Sequence, residues 1–185
     1  MSKRPIVLFG DPVLVTPTTP VTTFGKQTEA LVRDLLDTVD EPGHAGVAAT
    51  QIGSGLRAFS YNVDERIGYV INPEIAELSE EVQEGEEGCL SVPELGFPTR
   101  RAMHAVVTGV DLRNEPVTVE GEGLMARCLQ HETDHLDGKL YLDRLDRDTR
   151  REAMRAVRRS EWFLGAQPDP QSAAPKLPSG LGGIS

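Results

Sequence analysis

Residues 131–135 read His131-Glu132-Thr133-Asp134-His135, and this run constrains the fold more than any other. Positions four apart lie on one face of an α-helix. The two imidazoles can therefore grip one metal ion, with Glu132 beside it as a general base. Two ligands do not complete a catalytic site, because a catalytic ion usually takes three protein ligands and keeps one position open. The fold has to deliver the third.

Several residues compete for that place. His131-Glu132-x-x-His135-x-x-Gly138 opens like a metzincin protease signature. That signature needs a histidine three residues after the glycine, where this chain has Tyr141. A thermolysin-like site would use a downstream glutamate, and only Glu152 and Glu161 are available; a zinc endopeptidase built on one of them stays open as an alternative. Cys128 shares the helical stripe but lies seven residues from His135, about 10.5 Å along the axis. A short side chain with a bond of about 2.3 Å to the ion does not span that, so Cys128 reads as core or pocket lining. Cys89 stands in EEGCLSVPE, residues 86–94. Alone it reads as a buried strand cysteine; beside the H-E-x-x-H helix it closes a Cys-His-His set.

The rest of the chain reads as α+β. Leu31, Val32, Leu35, Leu36 and Val39 predict a helix over 25–40. Residues 11–22 read as extended loop, and the glycine- and alanine-rich run 43–55 as a tight loop leading into a strand. From 56 to 121 the segments LRAFSY, YVINPEIAEL, AVVTGVDL and VTVEG read as strands. Leu124, Cys128, His131 and His135 share one stripe of the motif helix, which stops at Leu136-Asp137-Gly138. A C-terminal helix follows over 146–163, with Ala153, Met154, Ala156, Val157, Trp162 and Phe163 on its apolar side. Strands in a block without β-α alternation favour α+β over a doubly wound sheet.

A chain of 185 residues suits one domain. It is expected over residues 1–164, with the proline-, glycine- and serine-rich stretch 165–185 as a disordered tail. No apolar run approaches the ~18 residues of a membrane span, and the N-terminal apolar run is too short for a signal peptide, so a cytoplasmic protein without membrane partners is expected. Two cysteines make no disulfide framework. A net charge of −10 argues against DNA binding. Yet residues 144–159 hold seven arginines against three acids, a basic segment on an acidic protein.

Three segments together resemble the peptide deformylases: Gly46-Val47-Ala48-Ala49-Thr50-Gln51, Glu87-Gly88-Cys89-Leu90-Ser91 and Gln130-His131-Glu132-Thr133-Asp134-His135. Asp11-Pro12-Val13-Leu14 and His135-Leu136-Asp137-Gly138 add smaller matches, and the likeness covers about residues 4–163. It implies antiparallel sheets wrapped around the metal-binding helix, and removal of the formyl group from the N-terminal formyl-methionine of nascent peptides. It also implies a divalent metal, natively Fe(II), with zinc, nickel or cobalt able to take its place. A Cys-His-His set suits zinc equally well, so the residues alone do not choose iron.

On this reading Cys89, His131 and His135 hold the ion, which acidifies a water toward neutral pKa. Glu132 takes that water's proton and passes it to the departing amine. The resemblance assigns oxyanion stabilisation to the Gln51 side chain and the Leu90 backbone N–H. The small residues Gly46, Ala48 and Ala49 suit close approach to a ligand, with the peptide added as a strand alongside. By the same analogy Ala45, Gly46, Leu124, Arg127 and Cys128 bind the substrate, with Ala45, Leu124, Arg127 and Cys128 around its methionine. The chain departs from the family at His44, where glycine is usual, at Gly96, where some members carry arginine, and at Arg127, where an aliphatic residue is common. Arg127 is expected to cover the pocket with its stem and keep its head in water. Arg101 is expected to pair with Glu87 and steady the cysteine loop, and the arginine-rich helix to dock on the ribosome.

Overall fold

The computed structural model describes residues 4–165. Helix α1 spans Lys26–Val39. Seven strands follow: β1 Gly46–Ala48, β2 Ala58–Val63, β3 Arg66–Leu78, β4 Val82–Cys89, β5 Val92–Ala102, β6 His104–Val110 and β7 Pro116–Glu122. Helices α2 Gly123–Leu136, α3 Arg147–Arg159 and the short α4 Glu161–Gly165 complete the order. Strands β1-β2-β3-β6-β7 form one sheet, and β4-β5 a separate hairpin. Every strand pairing is antiparallel. The α+β expectation holds, with the motif on α2.

The alternation of strand side chains explains where the helices sit. Val47, Ala58 and Ile71 pack with Val32, Leu35 and Val39 of α1. Their strand neighbours Ala48, Phe59 and Val70 pack with Met125, Ala126 and Leu129 of α2. The helices therefore cover opposite faces of the sheet. Strand β5 encloses α2 further: Gln130 accepts from the Ala102 N–H at 3.0 Å and donates to its carbonyl at 3.1 Å. A third cluster joins Val92 to Leu140, Tyr141 and Leu142, and to Ala153 and Val157 of α3.

Helix α2 ends as its sequence predicts. Gly138 takes φ +71°, a left-handed position that favours glycine. The Lys139 N–H reaches the Asp134 carbonyl at 2.9 Å and the Gly138 N–H that of His135 at 3.2 Å, the pair of bonds that closes a Schellman turn.

Three expectations need correction. The run 43–55 is not all loop: Gly46–Ala48 pairs with Phe59–Tyr61 as a strand, and Ala49–Ile52 forms a 3-10 turn. Within 11–22, Pro12–Val15 is a 3-10 turn whose cap, Asp11, accepts from the Val13 N–H. The helix expected over 146–163 breaks at Ser160, whose backbone is extended. The tail expected to be disordered lies outside the described residues, apart from Gly165, which ends α4.

Candidate metal centre

Helix α2 is buried from Met125 to Leu136 although more than half of that run is polar. A buried polar group without a partner costs roughly 1–3 kcal/mol, so each partner matters. Gln130 is held by Ala102 and by the Ala126 carbonyl. Thr133 donates to the Leu129 carbonyl. Asp134 accepts from Arg101 at 2.6 Å and from Arg144 at 2.9 Å. His131 Nδ1 donates to Glu87 Oε1 at 2.7 Å, because a carboxylate can only accept. Burial opposes the charge of the His131 ring, but hydrogen bonding with Cys89 and Glu87 raises its pKa well above the ordinary value, so Nε2 serves as a ligand once an ion displaces its proton. Among the fully buried nitrogen and oxygen atoms of the α2 side chains, Glu132 Oε2 and His135 Nδ1 are left without a partner.

Strand β4 supplies the third element. Its register with β5 shifts between Gly88 and Cys89, and such a bulge re-aims the side chain. Cys89 Sγ then lies 3.2 Å from His135 Nε2. Ligand atoms of Cys89, His131 and His135 all lie within 4.8 Å of one another. A tetrahedral ion with bonds of about 2.1–2.3 Å spaces its ligands roughly 3.4–3.8 Å apart, so the set fits a divalent ion. Among the described residues this is the cluster of such groups; neither Glu152 nor Glu161 joins it, and both are exposed. The endopeptidase ligand set is not assembled.

The surroundings tune these groups. Burial pushes the Glu132 carboxyl up to about 7, and a divalent cation nearby would draw it down again. Burial, with the charges of His131 and Arg101, holds His135 well below its ordinary value, as a neutral ligand requires. For Glu87 burial opposes the charge, but hydrogen bonds from His131 and Arg101 outweigh it and keep the carboxylate well below its usual range. Burial drives the Cys128 thiol well up. It donates to the Ala45 carbonyl at 3.2 Å and packs in the core, apart from the ligand set.

Gln51 is almost fully buried. Its Oε1 accepts from the Ala48 N–H at 2.9 Å, and its Nε2 faces Cys89 Sγ at 3.5 Å and Ser91 Oγ at 3.3 Å. A cleft of about 760 Å³ opens over the cluster, lined among others by Gly46, Gln51, Leu90, Leu124 and Glu132.

Residues 3–151 match the family model described as polypeptide deformylase. The chain belongs to the polypeptide deformylase family. It is 54% identical over 162 residues to a peptide deformylase of Acidothermus cellulolyticus, covering 88% of this chain and 89% of the relative. It is 50% identical over 169 residues to one of Parafrankia sp., covering 91% and 92%. The crystal structure of a peptide deformylase from Legionella pneumophila superimposes with a TM-score of 0.80 at 35% identity, covering 90% of this chain and 100% of that one. The chain is thus an enzyme of the deformylase family, and its Cys-His-His cluster is positioned for metal-dependent amide hydrolysis.

The residues expected around a deformylase substrate gather at this cleft: Ala45, Gly46, Leu124, Arg127 and Cys128 all line it, and so does His44. His44 Nδ1 donates to the Thr38 carbonyl at 2.7 Å. At Gly96 a side chain would displace Glu86, whose Oε1 lies 2.5 Å from the place of a Cβ. Arg101 pairs with Glu87 as expected, Nη2 to Oε1 at 2.6 Å. Arg127 overturns its expectation. Its head is not in water but buried, with Nη1 2.7 Å from Glu87 Oε2 and 3.0 Å from the Thr99 carbonyl. Sequence reasoning quoted Ser91 and Asp134 within the motifs but gave them no role, and it missed Arg144. Their partners lie 10 to 40 residues away.

Proposed function

We propose that the chain removes the formyl group from the N-terminal formyl-methionine of nascent peptides, releasing formate, with Cys89, His131 and His135 holding one divalent ion. The observation that carries this is the convergence of three ligand atoms beside a buried carboxylate whose Oε2 has no partner. When bound, the ion supplies Lewis acidity that brings the pKa of water toward neutrality. Glu132 Oε2 takes the proton of the attacking water, then delivers it to the amine as the C–N bond breaks. On this reading the Gln51 Nε2–H, which faces Cys89 Sγ and Ser91 Oγ, and the Leu90 N–H donate to the formyl oxygen as it gains charge. Glu87 keeps His131 in the tautomer that leaves Nε2 unprotonated.

The peptide lies beside β1. That strand pairs only with β2 and so is an edge of the sheet, which suits addition of an extended peptide. Ala45, Leu124, Cys128 and the Arg127 stem border the methionine side chain. Gly46 brings the backbone so close to Glu132 that acyl groups larger than formyl are excluded.

Formate release from a formyl-Met peptide tests this reading. Cys89→Ala is expected to lose the ion and the activity together. Glu132→Gln is expected to keep the ion and lose activity by at least about 100-fold. A Cys89→Ala protein that keeps its metal would refute the ligand set.

Fe(II) is the native ion on this reading, with zinc, nickel or cobalt able to replace it. Metal analysis after anaerobic purification decides. The place of action is the cytoplasm; among the described residues no helix is long and apolar enough to cross a membrane. Helix α3 exposes Arg151, Arg155 and Arg159 at four-residue spacing, with Asp148 and Glu152 beside them; the arginines suit the phosphates of ribosomal RNA. Co-sedimentation with ribosomes that salt or arginine-to-glutamate changes abolish supports that partner; indifference to both rejects it.

A further inference from the structure

Arg127 borders the cleft, yet its guanidinium points away from solvent. The residue is 8% exposed, and its Nη1 serves Glu87 Oε2 and the Thr99 carbonyl together. With the head tied back, the part that lines the cleft is the aliphatic stem. The partner it is tied to is Glu87, the residue that orients a metal ligand.

Glu87 receives four donors. Oε1 accepts from Arg101 Nη2 at 2.6 Å and from His131 Nδ1 at 2.7 Å. Oε2 accepts from Arg101 Nε at 3.0 Å and from Arg127 Nη1 at 2.7 Å. Two donors on each oxygen fix the rotation of the carboxylate plane. Removing Arg127 leaves Oε2 with one donor, the longest of the four, and leaves the buried Thr99 carbonyl without this partner. The carboxylate then keeps the Arg101 fork and His131 but loses the short bond that holds Oε2 in place, and the His131 ring that it orients is held less firmly.

We propose that Arg127 is a positioning residue: it locks Glu87, and through Glu87 the ring of His131, while its stem forms a wall of the substrate cleft. The cleft wall and the metal ligand are thus joined through a single carboxylate. This rests on reading Cys89, His131 and His135 as the metal site. It goes beyond that reading by giving a cleft residue a part in holding the ion.

The test uses nickel-loaded full-length protein and follows metal release to a chelator alongside KM and kcat. Arg127→Met keeps an unbranched stem and deletes the guanidinium. Partners behind a ligating histidine typically change metal affinity 10–100-fold. Arg127 stands one contact farther out, so release about tenfold faster is expected, with kcat lowered and KM within about twofold of wild type. Arg127→Lys restores a cation but not the fork, so release two- to threefold faster than wild type is expected, roughly. The visible absorption of the cobalt-loaded protein should shift in Arg127→Met and return toward wild type in Arg127→Lys. Wild-type release rates in Arg127→Met, with only a lower unfolding midpoint, would mean a purely structural residue and overturn the proposal. Should Arg127→Met not fold, Arg127→Lys decides alone, and wild-type release from it overturns the proposal equally. Wild-type protein that binds no stoichiometric ion would reject the metal reading itself, a failure distinct from that of Arg127.

Discussion

Gly46 shows how tightly single residues are fitted at this site. A Cβ there would collide with the Glu132 carboxylate and stand 2.8 Å from Cys128 Sγ. The need is for space, since Gly46 has no left-handed backbone. Gly46→Ala must therefore push Glu132 out of line or move β1. Overpacking of this kind costs about 1–3 kcal/mol, and formate release should fall at least about tenfold because the proton shuttle is displaced. Wild-type kcat/KM in that variant would show that Glu132 tolerates the shift. Much at this scale could be read in advance. Helical spacing put His131 and His135 on one face, and axial distance removed Cys128 from the ligand set. Arg127 could not be read. A long cation on a helix ordinarily sends its head to water, and its actual partner, Glu87, lies forty residues upstream.

Among the elements, α2 announced itself and the β4-β5 hairpin did not. The motif helix carried its two histidines on one stripe with Leu124 and Cys128, and a glycine stop. Strand β4 reads VQEGEEGC, with glutamates and glycines where an alternating apolar pattern would mark a strand. Its one fully buried residue is Glu87, so charge pairing rather than apolar packing docks β4 on α2. Arg101 on β5 makes that dock, bonding Glu87 through Nε and Nη2 and Asp134 through Nη1. Arg101→Ala is expected to leave two buried carboxylates short of a partner and to loosen the loop that carries Cys89. Metal affinity should drop about 10–100-fold, read by competition with a chelator. Unchanged metal content under that competition would mean the hairpin docks by other contacts.

In the molecule as a whole, Asp134 is where the charge network leaves the metal centre. It joins Arg101 of the hairpin to Arg144, which caps the 3-10 turn Tyr141–Asp143 ahead of α3. One carboxylate thus links hairpin, central helix and C-terminal segment. Burial opposes its charge, but Arg144 and Arg101 outweigh it and lower its pKa. A carboxyl depressed in the folded state contributes stability that is fully present above its unfolded value, about 3.9, and is lost as pH falls through the lower folded value. Asp134→Asn removes that contribution and leaves two guanidinium groups without their carboxylate. Breaking a buried pair from one side typically costs 3–5 kcal/mol, roughly, so the urea midpoint at pH 7 should fall well below that of wild type. As pH falls beneath about 4 the contribution of Asp134 to wild-type stability declines, to vanish below its folded value, and the two midpoints should converge. A gap that stays constant down to pH 3 would assign the loss to packing at position 134 and not to ionisation. Because the variant still carries Cys89, His131 and His135, its metal content at pH 7 separates failure of the whole-molecule tie from failure of the site.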